Sequence, residues 1–285
     1  VLVAPAMNTV MYHQAVTQRN LSLLTEYGYE IVSPANGLLA CGDVGDGKLA
    51  EIEKLLFHVE KILTSQSLTG FRLLVTAGPT VGPIDPVRYV TNHSSGKMGF
   101  SIAQEAALRG AEVTLVAGKV QRTTPYGVAR IDVATTEDML EQLKVLMPDY
   151  DGLIMAAAPA DYIPMEYHEE KIKKAGDSLT IVFKKNPDIL KTLKPVLIDK
   201  IVVGFAAESH QLLENAQKKL AEKNLDFIVA NNIAGKDSAF QSDYNTATII
   251  YKDGRQQPIP KQLKTELAGK ILDEIQRIRH KKEER

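Results

Sequence analysis

The segment from Phe71 to Gly99, FRLLVTAGPTVGPIDPVRYVTNHSSGKMG, limits the possible fold more than any other part of the 285-residue chain. Leu73-Leu74-Val75 reads as a buried strand. Ser94, Ser95 and Gly96 stand at the entrance of a helix whose apolar positions are Met98, Ile102, Ala106 and Leu108. A strand, a glycine turn and a helix start form the anion-binding geometry of a doubly wound sheet. N–H groups at the helix entrance attract a phosphate, and small residues let it approach. The dinucleotide fingerprint, a tight run of glycines opening directly into the helix, is missing. Here Gly78 closes the strand, Gly96 opens the helix, and Arg88 and Asn92 lie between them. The loop therefore carries side-chain chemistry as well as a turn.

Downstream, strands are expected at 113–116, 130–133, 153–156, 179–183, 202–206, 226–230 and 246–251. They alternate with helices at 97–109, 135–147 and 211–223, and Pro260 is expected to open a terminal helix with a frayed HKKEER tail. This alternation predicts an α/β fold with a doubly wound, mostly parallel, Rossmann-like sheet that binds ligands beyond the carboxyl ends of its strands. Gly78, Asp161, Phe205 with Glu208, and Asn231-Asn232 are each expected at or just past a strand end, where one crevice gathers them. Upstream, residues 1–66 read as a separate unit, joined to residues 69–285 by a short linker around Ser65-Gln66-Ser67. In that unit we expect strands at 1–3 and 29–32, a helix at 14–27 with Ala15, Val16, Leu21, Leu23 and Leu24 inward, a glycine-rich loop at 34–47, and a helix at 52–63.

Apolar residues make up 44% and charged residues 24%, as in ordinary globular proteins, and the net charge is −1. No strong field favours nucleic acid or an anionic membrane, and no apolar run approaches the roughly 18–20 residues that span a bilayer. Cys41 is the single cysteine, so no internal disulfide can form, which suits a cytoplasmic location. No secretory signal is visible. The opening Val-Leu-Val-Ala-Pro reads as the end of a buried strand, so we expect a fragment that starts inside a domain.

Thr76-Ala77-Gly78-Pro79-Thr80, Asp85-Pro86-Val87-Arg88 and Asn92-His93-Ser94-Ser95-Gly96-Lys97-Met98-Gly99 closely resemble the active-site segment of the phosphopantothenate–cysteine ligase family, with its TAGPT, DPVR and NxSSGxMG motifs. The resemblance runs almost to the C-terminus. It implies a ligase that joins 4′-phosphopantothenate to L-cysteine with CTP and Mg2+, through an acyl-cytidylate, in coenzyme A biosynthesis. Asn92 would hold that intermediate, and Arg88 would support the loop or the substrate phosphate. Gly78, Ser94, Ser95 and Gly96 would form the phosphate turn. The backbone of Met155, Ala156 and Ala157, with Asp161, would recognise the nucleotide. Lys171 would contact the phosphates during transfer, and Asn186, Pro187, Asp188, Ile189, Phe205, Lys219 and Lys223 would complete the pocket. Pro159 departs from the commoner AAVAD pattern but leaves Asp161 in register. Metal ligands are unassigned, and a homo-oligomer, a dimer in the ligase unit, is implied.

Each residue also has a plainer reading. The lysines suit a solvated surface, Asp161 a helix cap, Asn92 a left-handed turn and Phe205 a core aromatic. Two other function classes fit the same sheet: an NAD(P)-dependent oxidoreductase, which the missing glycine fingerprint opposes, and a non-catalytic nucleotide-binding module.

Pro5-Ala6-Met7-Asn8 and Ala40-Cys41-Gly42-Asp43 resemble two motifs of the FMN-dependent phosphopantothenoylcysteine decarboxylase family. By that resemblance residues 1–66 are the C-terminal part of a flavodoxin-like domain. Asn8 would bind the phosphopantothenoyl portion of the substrate and Cys41 would deliver a proton. Without the resemblance, a lone cysteine reads as an inert core residue. The family's flavin-phosphate loop and catalytic histidine lie upstream of these motifs. FMN is therefore expected only in the full-length decarboxylase domain, and this unit alone is expected neither to bind flavin well nor to decarboxylate.

Overall fold

The computed structural model describes residues 1–174, 177–208, 212–232 and 241–284, which fall into two compact units, Val1–Gln66 and Ser67–Arg285. The first unit contains strand β1 (Leu2–Val3), helices α1 (Thr9–Tyr12) and α2 (Ala15–Glu26), strands β2 (Glu30–Ile31), β3 (Ala35–Leu38) and β4 (Val44–Lys48), and helix α3 (Ile52–Leu63). β1 and β2 pair in parallel, and β3 and β4 form an antiparallel hairpin. The stretch expected as a loop at 34–47 is thus mostly hairpin, with Cys41 and Gly42 at its tip. Gly28, at φ 81, follows α2 as expected. However, α2 buries none of its apolar residues: Val16 is 63% exposed and Leu23 40%. A parallel pair only two residues long offers too little sheet surface to cover that face.

The second unit is built on β5 (Arg72–Ala77), β6 (Val81–Pro83), β7 (Tyr89–Thr91), α4 (Lys97–Leu108), β8 (Glu112–Ala117), β9 (Val128–Asp132), α5 (Thr136–Leu146), β10 (Gly152–Met155), β11 (Tyr162–Pro164), β12 (Phe183–Lys185), α6 (Ile189–Leu193), β13 (Ile201–Glu208), α7 (Leu212–Lys223), β14 (Phe227–Asn232), β15 (Tyr244–Tyr251), β16 (Gln256–Leu263) and α8 (Lys264–Glu283). Eight strands form one sheet in the order β16-β15-β14-β13-β10-β5-β8-β9. The six from β14 to β9 are parallel, and β15 and β16 add an antiparallel edge. Ranked along the chain, the parallel strands lie 3-2-1-4-5-6, the doubly wound order, and winding reverses between β5 and β10.

Helices cover both faces because successive strand residues point to opposite sides. Leu74, Val116, Leu153, Val202 and Ile228 share a buried cluster with Met139 and Leu143 of α5, Leu193 of α6 and Leu220 of α7. The alternate strand positions Leu73, Val75 and Leu115 are fully buried too, as are Ile102 and Ala106 of α4 and Leu267 and Ile271 of α8, and α4 packs on β5, β8 and α8. Thr135 caps α5 with a reciprocal bond to Asp138, as its position predicts.

Four expectations fail locally. The strand expected at 179–183 is instead β12, pairing with β11 only from Phe183 onward. Phe205 lies inside β13, which continues to Glu208, rather than at its end. Pro260 does not open a helix: with Pro258 it sits in β16, an edge strand with no neighbour on its outer side, where a missing N–H is tolerated. The terminal helix starts at Lys264 and continues through most of the tail expected to fray.

Close packing of α4 on β5 requires Gly99. A Cβ there would lie 2.6 Å from the Ala77 Cβ and 2.7 Å from the Thr76 carbonyl oxygen. Gly99→Ala should therefore lower stability by about 1–3 kcal/mol through overpacking, measured by urea unfolding.

The β6–β7 hairpin is held by Asp85, which is 3% exposed. Its carboxylate accepts from the backbone N–H groups of Val87 (2.9 Å), Arg88 (2.8 Å) and Ile172 (3.2 Å), and from Arg88 Nε at 3.0 Å. The Arg88 guanidinium, helped by these N–H groups against the cost of burial, holds Asp85 well below the ordinary carboxylate range. A depressed carboxyl pKa stabilises the fold above the unfolded value of 3.8 and stops doing so as pH falls through the folded value. Asp85→Asn should lower the thermal midpoint at neutral pH, and its difference from wild type should shrink in strong acid across a pH series of melts.

Candidate active site

The loops after β5 and β10 leave the sheet where its winding reverses, and they are stitched to each other. Pro79 and Ala158 form a parallel bridge, and the Ala158 N–H donates to the Gly78 carbonyl at 2.9 Å. The Ala157 N–H donates to Thr76 Oγ1 at 3.1 Å and the Ala160 N–H to Thr80 Oγ1 at 3.0 Å. Asn92 Nδ2 donates to the carbonyls of Ala158 and Pro159, at 3.1 Å each. Both threonines are fully buried, so these bonds work where water cannot compete for them.

On this base lies a cleft of about 470 Å³. One wall is the entrance of α4, Asn92 through Met98; opposite it stand Ala156 to Pro159, Asp161, Phe205, Lys219 and Lys223. An adjoining recess shares Ala157, Pro159, Asp161, Phe205 and both lysines, and adds Met155 and Asn186 to Ile189. Gly96, at φ 73, caps α4 and turns the chain into the helix. Asn186 is 9% exposed and braces the β10 loop: its Nδ2 donates to the Ala160 carbonyl and its backbone N–H to the Asp161 carbonyl, both at 2.8 Å. Asp188 caps α6 and pairs with Lys223 at 3.0 Å. Partial burial opposes its ionisation, but the bonds from Lys223 and the Lys191 N–H hold its pKa below the ordinary value. Negative charge therefore keeps Lys223 in place beside the recess.

The cleft thus gathers Asn92, Ser94, Ser95, Gly96, Met155 to Ala157, Asp161, Asn186 to Ile189, Phe205, Lys219 and Lys223. Three expected residues stand outside its lining. Gly78 supports the wall through its carbonyl. Arg88 is engaged with Asp85 and with the Ile172 carbonyl at 3.1 Å. Lys171, expected at the phosphates, is exposed on the segment that Asp85 and Arg88 hold by Ile172 and does not line the cleft. Phe205 is neither loop nor plain core, since it is half-buried against the cleft.

Asn231 lines the cleft as expected, and the structure adds Lys97, Asn245 and Lys264, which sequence reading did not select. Lys264 carried no readable signal, because a helix start at Pro260 would place it inside the helix; the structure starts that helix at Lys264. Among the described residues no group of three or more His, Cys, Asp or Glu is arranged to hold a metal.

In the first unit the hairpin brings the two short motifs together. Asn8 Nδ2 donates to Asp43 Oδ2 at 3.1 Å and to Cys41 Sγ at 3.3 Å, and Cys41 Sγ lies 3.5 Å from the same Asp43 oxygen. Cys41 is exposed, which removes the reading as an inert core residue. Gly47 makes the approach possible: it adopts φ 137, and any Cβ would fall on the Met7 carbonyl oxygen.

Comparison with known proteins agrees with this division. Residues 68–278 match the family model of the DNA/pantothenate metabolism flavoprotein C-terminal domain, and residues 1–64 match the Flavoprotein model. The coenzyme A biosynthesis bifunctional protein CoaBC of Haemophilus influenzae is 43% identical over 282 residues, covering 96% of this chain and 69% of that protein. The Bacillus subtilis protein of the same name is 42% identical over 279 residues, with 96% and 69% coverage. Among solved structures, the C-terminal domain of CoaBC superposes with a TM-score of 0.66 at 39% identity, over 76% of this chain and all of that one. The DNA/pantothenate metabolism flavoprotein of Streptococcus pneumoniae superposes with a TM-score of 0.65 at 27% identity, over 73% of this chain and all of that one. The chain belongs to the family of the coenzyme A biosynthesis bifunctional protein CoaBC.

Proposed function

We propose that the second unit is a ligase that joins 4′-phosphopantothenate to L-cysteine at the expense of CTP. The observation that carries this reading is the cleft at the winding reversal, lined by Asn92, the α4 entrance, Asp161 and two lysines, with Asn186 in the recess that adjoins it. An amide cannot form from a carboxylate until its oxygen becomes a leaving group. A carboxylate oxygen of the acid attacks the α-phosphorus of CTP; that O–P bond forms, the bond to the bridging oxygen breaks, and pyrophosphate leaves with the electron pair. The cysteine amine then attacks the acyl carbon, the C–N bond forms, CMP departs, and the amine loses its proton to solvent.

The chain's residues would hold the parts in line. The recess around Asn186–Ile189 and Asp161 takes the nucleoside end, with Asp161 accepting from a base or ribose donor and Phe205 packing beside it. Lys219 and Lys223 offset phosphate charge, and the N–H groups at the α4 entrance receive a phosphate oxygen. Asn92 already presents Nδ2 to two carbonyls beside the cleft. Turned inward, the same group would donate to the acyl carbonyl as charge develops there. Mg2+, which keeps most of its ligands from water and phosphate, would be held mainly by the triphosphate, in keeping with the lack of a ready-made ligand cluster among the described residues. Arg88 acts on this reading as a positioning residue that anchors the segment carrying Lys171. Assembly as a homo-oligomer would allow Lys171 of one copy to serve the site of another.

The first unit is, on the same reading, the C-terminal part of a decarboxylase domain acting on the ligase product. Asn8, Cys41 and Asp43 form its substrate-handling cluster, with Cys41 as proton donor. FMN, bound by the full-length domain, would supply the redox chemistry at the cysteinyl end. The helix start at these motifs, α1, is only four residues long and is capped by Asn8 itself, whose side chain accepts the Val10 N–H, and the cluster offers no cation for a flavin phosphate. We therefore assign no FMN contact to these residues.

CMP and pyrophosphate should appear only when phosphopantothenate is present, and the amide only when cysteine is added, followed by ion-exchange chromatography of the products. Asn92→Ala should lower amide formation about 100-fold or more while CTP binding changes little, the pattern for loss of a donor to developing charge. Unchanged turnover in that variant would remove Asn92 from the mechanism.

A further inference from the structure

The ligase reading leaves one proton without a partner in the protein. Amide formation needs the cysteine amine to meet the acyl carbon with its lone pair free, and the nitrogen must shed a proton as the C–N bond forms. Among the described residues, the titratable side chains that line the cleft are His93, Lys97, Asp161, Lys219, Lys223 and Lys264. A lysine ammonium has three donors and no acceptor, and Lys97 is held by Asp243 at 2.6 Å and Lys223 by Asp188 at 3.0 Å. Burial lowers the Lys264 pKa to about 8, which still leaves it mostly charged at neutral pH, and its Nζ donates to the Ser242 carbonyl at 2.6 Å. Carboxylates as a class are far weaker bases than amines, and Asp161 stands on the opposite wall, shared with the nucleoside recess. Histidine is the residue type whose ordinary titration falls nearest neutrality, where a general base works best.

The chain bends at His93. The Ser94 N–H donates to the Asn92 carbonyl at 2.8 Å, closing a three-residue turn with His93 at its centre. Neighbouring side chains on an extended strand point to opposite sides, yet here Asn92 and His93 both line the cleft. The turn is fixed to the floor through Asn92, whose Nδ2 reaches the Ala158 and Pro159 carbonyls. His93 itself is exposed, and its imidazole has no hydrogen-bond or ion-pair partner among the described residues. Among those residues it is also the only histidine of the cleft. An imidazole nitrogen is thus free to accept a proton, next to the amide placed above at the acyl carbonyl.

We infer that His93 is the general base that takes the proton from the cysteine amine in the second half of the reaction. This rests on the ligase reading given above. The amine lone pair forms the C–N bond at the acyl carbon, and the carbonyl π pair moves to oxygen beside Asn92. An N–H bond then breaks: the proton goes to the unprotonated imidazole nitrogen, and its electron pair stays on the amide nitrogen. The carbonyl re-forms, the bond from the acyl carbon to the cytidylate oxygen breaks, and CMP leaves with that electron pair. Because His93 is exposed, the imidazolium hands its proton on to solvent. The first half of the reaction, attack of a carboxylate on the α-phosphorus, moves no proton and makes no use of His93.

The test separates the two halves of the reaction on the full chain. Phosphopantothenate-dependent exchange of labelled pyrophosphate into CTP reports the first. Amide formation with cysteine, and hydroxamate formation with hydroxylamine, report the second. Hydroxylamine is unprotonated at neutral pH and needs little help from a base. His93→Asn should lower amide formation with cysteine about 100-fold at neutral pH, while exchange and hydroxamate formation stay within about threefold of wild type. The cysteine rate of the variant should climb as pH rises through the titration of the free amine, narrowing its gap from wild type. Cysteine turnover within about threefold of wild type overturns the inference, and so does an equal loss with both nucleophiles, the mark of a structural role. If His93→Asn lacks exchange, His93→Gln is read in its place; loss of exchange in both assigns His93 to the first half or to the fold and overturns the inference too. Exchange absent from wild type overturns the ligase reading itself, and the role of His93 falls with it.

Discussion

The seam between the β5 and β10 loops is the constraint on which the rest of the second unit depends. At the winding reversal, crossovers from neighbouring strands go to opposite faces, so nothing in the sheet itself ties the two chain segments together beyond their last ladder bonds. Buried hydroxyls of Thr76 and Thr80, the Gly78 carbonyl and the Asn92 amide do this instead, each meeting a backbone group of residues 157–160. The seam converts two loops into one floor. Asn186 extends that floor toward α6, and α4 can then present its N-terminus across it.

The charges around this floor divide between two purposes. Lys223 and Asp188 form a local pair, as do Arg88 and Asp85, and each pair holds a loop in place. Lys97 and Lys264 serve the cleft instead: both line it, and Lys97 pairs with Asp243.

Much of this was legible along the chain. The apolar period of α4, the start of α5 at Thr135 and the alternation of strands with helices report interactions between residues close in sequence, and they emerged near their expected positions. The family-like loop motifs showed where to look for a site. What was missed involved partners far apart. Residues 34–48 form a hairpin, though their glycines suggested a loop, because strand pairing depends on a partner's backbone rather than on composition. Pro260 reads locally as a helix start, and only the edge position of β16 makes a proline acceptable within a strand. Of the face of α2 expected inward, Val16 and Leu23 are exposed and Leu21 and Leu24 only half-buried, because the β1–β2 pair beside it is short.

The sequence by itself determined the class of the fold, the doubly wound order of strands and helices, and the polar residues at the loops after β5, β10 and β14, since periodicity, caps and turn residues are local properties. Only the tertiary structure decided which of those residues face one cleft: it gathered Asn92, Asp161, Asn186 and Lys223, left Lys171 on a segment tied elsewhere, and brought Lys264 beside Lys97 across 167 positions of chain. The reason is physical. Position within a cleft follows from where distant strands lie in the sheet and from which buried groups their loops find to satisfy their hydrogen bonds, and neither is written in the spacing of residues along the chain.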